Sequence, residues 1–476
     1  MKVTSAAFKD NARAALGDAN LQRALHNLRG GFVARRAERV ANLPEWDELR
    51  DEAIAIKQHT LKRLDWYLDA WEKKVVAAGG HVHWCRNAAE ANQAVLAICR
   101  TLGAKTVTKG KSMIGEEMGV NDYLEQNGIT PVETDLGEYI IQIMHEPPSH
   151  IIAPAIHLLK EQIAQSFRET HGTLDPARLL ADSRQLCDEA RAVLRQKFLT
   201  ADVGITGANF LIAETGSSII VTNEGNGDLT QTLPKAHIVL ASLEKVVPTL
   251  EDAATILRLL ARSATGQEFS TYTTISTGPR RASDADGPGE YHVVLLDNGR
   301  SAMLGGEFED MLRCIRCAAC LNHCPVYEAV GGKAYGWVYP GPMGAVLTPS
   351  LVGLGSAHDL PNASTFCGKC ESVCPMKIPL PKMMRHWRER EFARHMTPRA
   401  ARYALAAWGF AATRPALYRP LANLAARALA WLGGSRGRFR ALPLAGGWTR
   451  TRDLPAPQGA TFMSQWQARR GREWRA

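Results

Sequence analysis

The chain has 476 residues, of which 45% are hydrophobic and 22% are charged, the composition of an ordinary folded protein with room for two to four domains. No run of about 18 apolar residues is present to span a bilayer, and the first residues lack the apolar core of a signal peptide. The net charge of +9 is uneven: residues 397–476 contain fourteen arginines, no lysine and two acids, which leaves about −3 for the rest. We therefore exclude transmembrane and exported proteins and expect a cytoplasmic chain, at most peripheral to a membrane.

Residues 1–75 are predicted to form an N-terminal helical arm. Apolar side chains recur there at helical spacing, at Ile54, Leu61, Leu64, Leu68 and Trp71. We expect this arm to pack on the domain that follows it.

Residues 76–300 are predicted to form an α/β domain, because strand-like and helix-like patterns alternate along them. The predicted helices span residues 87–102, 115–126, 176–199 and 250–262. The predicted strands span residues 104–108, 129–133, 237–241 and 291–296. Residues 202–222 are predicted to form two strands joined by a Gly/Ser turn.

Two nucleotide-binding motifs in this domain are incomplete. Residues 109–112, Lys-Gly-Lys-Ser, resemble the end of a P-loop, but Lys105 stands where that motif needs a glycine. Gly225 and Gly227 lack the third glycine of a dinucleotide fingerprint. The turn at residues 214–218 has two interpretations. It can present backbone N–H groups to an anion, or it is an ordinary hairpin turn, which we favour.

Residues 301–394 carry two cysteine blocks. The first, residues 314–325, has the C-x2-C-x2-C-x3-C-P spacing of bacterial iron–sulfur proteins, and the second, residues 367–375, reads Cys-Gly-Lys-Cys-Glu-Ser-Val-Cys-Pro. Three thiolates at this spacing hold one 4Fe-4S cluster, and the cysteine before the proline ligates the other cluster. The predicted ligands of the first cluster are Cys314, Cys317, Cys320 and Cys374. Those of the second cluster are Cys324, Cys367 and Cys370.

The second predicted cluster is one cysteine short, because Ser364 stands three residues before Cys367. Three explanations stay open: a 3Fe-4S cluster, an oxygen ligand, or a ligand from another chain. Zinc and disulfides compete for isolated cysteine pairs, but seven cysteines in two blocks that each end in Cys-Pro favour iron. The remaining cysteines, Cys85, Cys99 and Cys187, are predicted to be small buried hydrophobic residues. We therefore interpret the chain as an electron carrier.

Residues 395–476 form a basic C-terminal region, with short amphipathic helices predicted at 403–412 and 421–432. Arginine is combined there with tryptophan, at Trp448, Trp466 and Trp474 among others, which is typical of protein interfaces. An anionic membrane surface is the second interpretation. We expect no nucleic-acid binding, because no nucleic-acid-binding motif accompanies the charge.

Several stretches, taken in order, resemble the lactate utilization protein B family of iron–sulfur proteins. They are residues 108–117 (Thr-Lys-Gly-Lys-Ser-Met-Ile-Gly-Glu-Glu), 133–142 (Glu-Thr-Asp-Leu-Gly-Glu-Tyr-Ile-Ile-Gln), 207–216 (Gly-Ala-Asn-Phe-Leu-Ile-Ala-Glu-Thr-Gly), the two cysteine blocks, and 448–457 near the C-terminus. The resemblance covers nearly the whole chain. One departure is at residues 465–470, where the family leads us to expect a second tryptophan beside Trp466.

The resemblance implies a lactate-utilization (LUD) domain, related in fold to ribose-5-phosphate isomerase and CoA transferases. It also implies a helical two-cluster ferredoxin-type module, with seven cysteines assigned to two 4Fe-4S clusters, and a family-specific tail. The implied partners are a cysteine-rich iron–sulfur subunit and a small LUD-domain subunit, which together with this chain oxidise L-lactate to pyruvate.

The leading hypothesis is an electron-transfer subunit of such a complex, with no catalysis by the chain alone. A second is a stand-alone oxidoreductase whose LUD domain binds a hydroxyacid or CoA-like ligand near residues 214–218. A scaffold that senses redox state, or a carrier for a different 2-hydroxyacid dehydrogenase complex, is a further alternative. No flavin fingerprint is visible, so the group that accepts hydride from lactate cannot be located in this sequence.

Overall fold

A computed structural model describes residues 2–442, 449 and 452–473, and within these ranges leaves the side chains of residues 27–30 and 471–473 undescribed. The chain forms two compact units, Met1–Glu391 and Phe392–Ala476. The first unit contains an α/β domain followed by a helical cysteine-bearing region, as the sequence predicts.

The N-terminal arm is helical. Its helices are α1 (Phe8–Gly17), α2 (Ala19–Leu28), α3 (Ala34–Ala41), α4 (Trp46–Leu61) and α5 (Leu64–Ala77). Leu64, Leu68, Trp71 and Val75 recur every three or four residues, so α5 buries one face against the large sheet. The beginning of the arm packs on the cysteine-bearing region, since the amide of Thr4 donates to a carbonyl of that region.

The large sheet has six parallel strands. Strands are numbered in chain order across this sheet and a smaller one. Those of the large sheet are β1 (His81–Cys85), β2 (Thr106–Gly110), β3 (Thr130–Glu133), β4 (Val203–Gly207), β7 (Ala236–Ser242) and β10 (Glu290–Leu296). Their spatial order is β1-β10-β7-β4-β2-β3. The two strands β4 and β7 are buried along their whole length, as expected for a parallel sheet with both faces covered.

The smaller sheet has four strands in the order β8-β5-β6-β9. They are β5 (Phe210–Ile212), β6 (Ser217–Thr222), β8 (Val246–Val247) and β9 (Tyr272–Ser276). The helices between the strands of the α/β domain are α6 (Ala88–Thr101), α7 (Met113–Met118), α8 (Val120–Gln126), α9 (Leu136–Ile143), α10 (Lys160–Thr170), α11 (Ser183–Thr200), α12 (Asn226–Thr232) and α13 (Leu250–Thr265).

Four local predictions were wrong. Cys187, predicted to be buried, is exposed, whereas Cys85 and Cys99 are buried. The helix predicted at 115–126 is two helices, because Gly119 adopts a left-handed conformation with a φ of 68° and ends the first one. The helix predicted at 176–199 begins only at Ser183, where the Asp182 carboxylate accepts from the amide of Gln185 and caps it. Residues 202–222 form three strands, not two, because the chain leaves the large sheet at Gly207 and joins the smaller one at Phe210.

The cysteine-bearing region consists of short helices. They are α14 (Ala319–Asn322), α15 (Pro325–Val330), α16 (Gly341–Val352), α17 (Leu354–Ala357), α18 (Lys369–Ser372) and α19 (Leu380–Ala393). Four aromatic residues between its two cysteine blocks are buried, namely Tyr327, Tyr335, Trp337 and Tyr339.

The second unit contains α20 (Arg399–Ala412), α21 (Pro415–Gly433), the antiparallel pair β11 (Arg438–Phe439) and β12 (Leu454–Pro455), and α22 (Phe462–Glu473). Large apolar side chains stay exposed on it, among them Tyr403, Trp408 and Trp431. Two tryptophans of the predicted interface composition, Trp448 and Trp474, lie outside the described residues. Within the described ranges, no helix is both long enough and apolar enough to cross a membrane.

Candidate iron–sulfur site

The structure gathers the seven cysteines of the two blocks into two cavities. A cavity of about 380 Å³, including its opening to solvent, is lined by Cys314, Cys317, Cys320 and Cys374, and we call it the four-cysteine site. A cavity of about 280 Å³, again including its opening, is lined by Cys324, Cys367 and Cys370, and we call it the three-cysteine site. Each cavity thus takes cysteines from both blocks. Ligation of iron by these sets stays a prediction.

Local sequence explains how one block supplies two cavities. Within the first block Arg316 and Ala318 both have a φ of 60°, so the chain turns back tightly and places three sulfurs around one cavity. Pro325 then occupies the first turn of α15, where a missing N–H costs nothing, and Cys324 just before it leads away to the other cavity. Backbone held in this rarely populated region is typical of functional sites.

Backbone N–H groups donate hydrogen bonds to a cysteine sulfur at each site. The amide of Arg316 donates to the sulfur of Cys314 at 3.4 Å. The amide of Lys369, together with the Thr365 hydroxyl, lowers the pKa of Cys367. N–H donors aimed at sulfur are one of the means by which proteins tune iron–sulfur clusters.

Burial opposes thiolate formation at both sites. It raises the pKa of Cys317 and Cys320, raises that of Cys370 to about 12 and raises that of Cys374 to about 11. Neighbouring sulfurs of the same set raise these pKa values further, since Cys374 acts on Cys317 and Cys324 acts on Cys370. Bound metal deprotonates thiols in such surroundings, because its positive charge outweighs the cost of burial.

The two sites are close neighbours. The sulfur of Cys370, in the three-cysteine site, contributes to raising the pKa of Cys320 in the four-cysteine site, after burial and the nearer sulfurs. Clusters in both cavities would therefore be near enough to exchange electrons.

Arginines of the N-terminal arm also reach the second cysteine block. Arg36 donates to the carbonyl oxygen of Val373 at 2.8 Å, and Arg50 donates to the carbonyl oxygen of Cys374 at 2.7 Å. The sequence analysis missed both residues. No local pattern signals them, because the partners are more than 300 residues apart in the chain.

A buried ionic network joins the α/β domain to the first cysteine block. Glu117 pairs with Arg300 at 2.6 Å, Arg300 with Glu244 at 3.2 Å, and Glu244 with Arg316 at 3.2 Å. The hydroxyl of Tyr339 donates to Glu117 at 2.6 Å. Burial alone would raise the pKa of Glu244, but Arg300 and Arg316 lower it to about 2. The network therefore stays charged and holds Arg316 in place.

A cleft of about 1100 Å³, including its open mouth, lies at the carboxyl ends of β2, β4 and β7. Lys111, Gly207 and Ser242 follow or end these strands and line it, and Arg316 closes it on the side of the cysteine-bearing region. A Cβ atom on Gly207 would lie 2.3 Å from the carbonyl oxygen of Lys111, so only glycine fits there. The carboxyl edge of a parallel sheet is the usual place for a ligand in α/β folds.

The turn at residues 214–218 does not line this cleft. It joins β5 to β6 as a tight hairpin, and Gly216, with a φ of 73°, packs on the backbone of Lys74 and Val75. The hairpin interpretation fits this packing, since a Cβ atom at position 216 would lie 2.6 Å from the amide nitrogen of Val75.

Three family models match the chain. Residues 68–296 match the LUD domain, residues 310–378 a 4Fe-4S dicluster domain, and residues 378–472 the C-terminal region of lactate utilisation protein B. Lactate utilization protein B of Bacillus licheniformis is 42% identical over 472 residues, covering 99% of this chain and 98% of that protein. The chain belongs to the lactate utilization protein B family. The predicted resemblance is confirmed.

Other comparisons agree with this family or add little. The Escherichia coli protein named uncharacterized electron transport protein YkgF is 40% identical over 476 residues and covers 99% of both chains. A crystal structure of a DUF162 family protein from Deinococcus radiodurans covers 49% of this chain and 98% of its own, with 16% identity and a TM-score of 0.24. At that score the overlap supports no conclusion about this chain.

The family's dicluster match spans both cysteine blocks, which identifies an iron–sulfur protein. The residues present fit such a group. Its soft thiolate ligands are available in two sets, with N–H donors directed at sulfur. Apolar side chains, including Met311, Ile315, Met343 and Leu380, complete the four-cysteine site.

Proposed function

We propose that this chain is the iron–sulfur electron-transfer subunit of a complex that oxidises L-lactate to pyruvate. The observation that carries the proposal is the gathering of seven cysteines into two adjacent cavities, four in one and three in the other. The names of its relatives, lactate utilization protein B and electron transport protein, point to the same pathway and role.

In this proposal each cavity holds one cluster. Cys314, Cys317, Cys320 and Cys374 ligate a 4Fe-4S cluster. The three cysteines of the other site ligate a second cluster, which is either completed by a ligand other than cysteine or is a 3Fe-4S cluster. Ser364 and Thr365 both line that cavity with a hydroxyl group, and Ser364 stands three residues before Cys367, where the motif would place the missing cysteine. Two one-electron clusters match the two electrons that lactate releases on becoming pyruvate.

The second unit suggests how the complex assembles. Trp408 is 64% exposed and Trp431 is 81% exposed, and arginines accompany them. Exposed aromatic residues with arginine are the usual anchors of protein interfaces. We propose that the partners, a cysteine-rich iron–sulfur subunit and a small LUD-domain subunit, dock here in the cytoplasm. A peripheral membrane contact is the alternative for the same surface.

Docking is tested with a double substitution, Trp408→Ala and Trp431→Ala, in the full chain. Both side chains are exposed, so iron content should be unchanged while co-purification of the partners falls by about tenfold or more. Trp66→Ala is the matched control, since Trp66 is 60% exposed on the first unit. Loss of membrane association with partner binding intact would assign the surface to a lipid bilayer instead.

A stand-alone oxidoreductase is the second candidate, favoured by the cleft at the carboxyl edge of the sheet. The deciding experiment adds L-lactate to the anaerobically purified chain and follows cluster reduction by absorbance and electron paramagnetic resonance (EPR). We expect reduction only when both partners are present, and none with D-lactate. Reduction by the chain alone would establish the second candidate, and reduction only by other 2-hydroxy acids would indicate a different complex. Zinc without iron after anaerobic reconstitution would end the electron-carrier proposal.

A further inference from the structure

The cleft at the carboxyl edge of the large sheet contains a cation, Lys245, that makes no direct ion pair in the described part of the chain, although the charge of the neighbouring Glu244 acts on it. Lys245 follows β7, lines the cleft and is only 8% exposed. Its ammonium group has no ion-pair or hydrogen-bonding partner within the part of the chain that the structure describes. Burying a charge without a partner costs free energy. An anion bound from outside the chain would therefore stabilise the charged lysine.

A second cation faces the same space. Arg316 lines the cleft beside Lys245, and its Nη2 atom pairs with Glu244 at 3.2 Å. Its Nη1 atom is buried and has no hydrogen-bonding partner. The buried charges here are four cations, Lys57, Lys245, Arg300 and Arg316, against the carboxylates of Glu117 and Glu244. Lys57 does not line the cleft, and its ammonium group donates to the backbone carbonyl oxygens of Glu244 and Val246. The excess positive charge that faces the cleft is therefore that of Lys245, enough for one anionic group.

The shape and chemistry of the cleft select among anions. Its walls include Met113, Ile114, Ile152 and Leu260, which suit an organic ligand better than a bare inorganic ion. Lys111 also lines the cleft, but it is already paired with Asp135 and Glu224. This cluster holds more acid than base, so it would repel a second negative charge on the ligand.

We propose that this cleft binds a small organic monocarboxylate, with its carboxylate group between the Lys245 ammonium and the Arg316 guanidinium. Burial, followed by the nearby Arg316, lowers the pKa of Lys245 to about 8, and a bound carboxylate would relieve this destabilisation. The site adjoins the four-cysteine site, whose wall includes Arg316, but Lys245 lines neither cavity of the cysteines. It depends on neither lactate oxidation nor the identity of the partners.

Arg316 gives such a ligand a position next to the four-cysteine site. Its side chain enters the cleft while its amide donates to the sulfur of Cys314. The cation pair also faces that sulfur, so one alternative is that Lys245 only balances the charge of a cluster. The two roles predict different results when Lys245 is replaced.

The test is calorimetric titration of the full-length, cluster-loaded protein with pyruvate, L-lactate, acetate, malonate and inorganic phosphate. Pyruvate or another monocarboxylate should bind, and malonate and phosphate should bind more weakly. In Lys245→Met the affinity should fall about tenfold or more, because charged hydrogen bonds are among the stronger polar contacts. Lys245→Arg should restore most of it. Lys235→Met is the matched control, as Lys235 precedes the same strand at its other end and is exposed.

Several results would overturn the proposal. One is a wild-type protein that binds no monocarboxylate at millimolar concentration, a result that needs no variant. Another is phosphate or malonate binding at least as tightly as pyruvate. A third is a Lys245→Met protein that binds pyruvate normally while its cluster EPR signal changes, which would leave the lysine with the charge-balancing role alone.

Discussion

The four-cysteine and three-cysteine sites take the same ligand type from the same two blocks, yet their surroundings differ. Around the four-cysteine site the cysteines are buried or half-buried and the remaining wall is largely apolar. The three-cysteine site is lined by His323, Ser364 and Thr365, and its Cys367 is exposed. Burial and solvent access set the reduction potential and lability of iron–sulfur clusters. One site is therefore insulated, and the other is open to exchange with solvent or a partner.

The two sites also differ in the positively charged side chains near their cysteines. Arg36 and Arg50 act on the cysteines of the four-cysteine site, and Arg316 lies within its loop. Lys369 is the cation that acts on Cys367 of the three-cysteine site. Positive charge favours the reduced form of a cluster, so we expect the four-cysteine cluster to have the higher potential and to be reduced first.

We expect the largest effect from replacing a cysteine of one block that is predicted to ligate the cluster held mainly by the other block. Cys374→Ser should destroy the cluster of the four-cysteine site, although Cys374 follows Cys370 by four residues, and Cys324→Ser should destroy the other. Each variant should lose about half of the bound iron, and EPR of the reduced protein should show which signal remains. The crossed assignment fails if each substitution removes the cluster of its own block.

The identity of the missing fourth ligand of the second cluster is tested by iron content and by replacing Ser364. Wild-type protein should hold about eight irons if both clusters are complete and about seven if one is a 3Fe-4S cluster. Ser364→Cys supplies a thiolate at the cavity wall, so it should complete a 4Fe-4S cluster and abolish any 3Fe-4S signal of the oxidised protein. Ser372→Cys is the control, because Ser372 lies in the same block but lines neither cavity. An unchanged second cluster in Ser364→Cys would point to a ligand from another chain.

The two sets of cysteines and the α/β fold could be predicted from local features of the sequence. The spacing of the blocks and the proline after Cys324 are enough to predict sets of four and three, and the cavities bring together the same sets. The α/β fold follows from the alternation of strands and helices. The half-exposed strand β9 was not predicted, because Tyr272–Ser276 is short and mostly polar.

What the sequence could not predict is set by distant packing. Arg36, Arg50 and Lys245 each look like ordinary surface residues in their own stretch, and their environments arise only when the arm, the sheet and the cysteine-bearing region meet. The same holds for Glu117 and Arg300, which are 183 residues apart and form a fully buried pair. Within the ionic network, two residues carried a signal. Arg316 stands inside a cysteine motif, and Glu117 ends one of the stretches that resemble the family.

On exposure to air, the clusters of the two sites should be lost at different rates. Cys367 is exposed, while the thiols of the four-cysteine site are buried or half-buried. Oxygen and chelators should therefore remove the three-cysteine cluster first. Iron release and the EPR signal of each cluster, followed over time in air, measure this order. Equal rates, or earlier loss of the four-cysteine cluster, would mean that solvent access does not distinguish the sites.

The smallest expected effect is a shift of potential. Arg50 donates to the carbonyl oxygen of Cys374, its side chain is 12% exposed, and it pairs with the exposed Asp47 at 2.8 Å, so Arg50→Met removes a positive charge, partly balanced by Asp47, beside the four-cysteine site. The reduction potential of that cluster should fall by an amount on the order of tens of millivolts, and that of the other cluster should stay unchanged in the same EPR-monitored titration.

Lys62→Met controls for the loss of charge itself, since Lys62 is exposed immediately after the same helix. Iron content is measured in every sample, because a lower potential counts only if both clusters are intact. An equal shift at both clusters would show that Arg50 acts through the overall field of the protein. A shift at the four-cysteine cluster alone would show that the arm tunes that site through its contact with the second cysteine block.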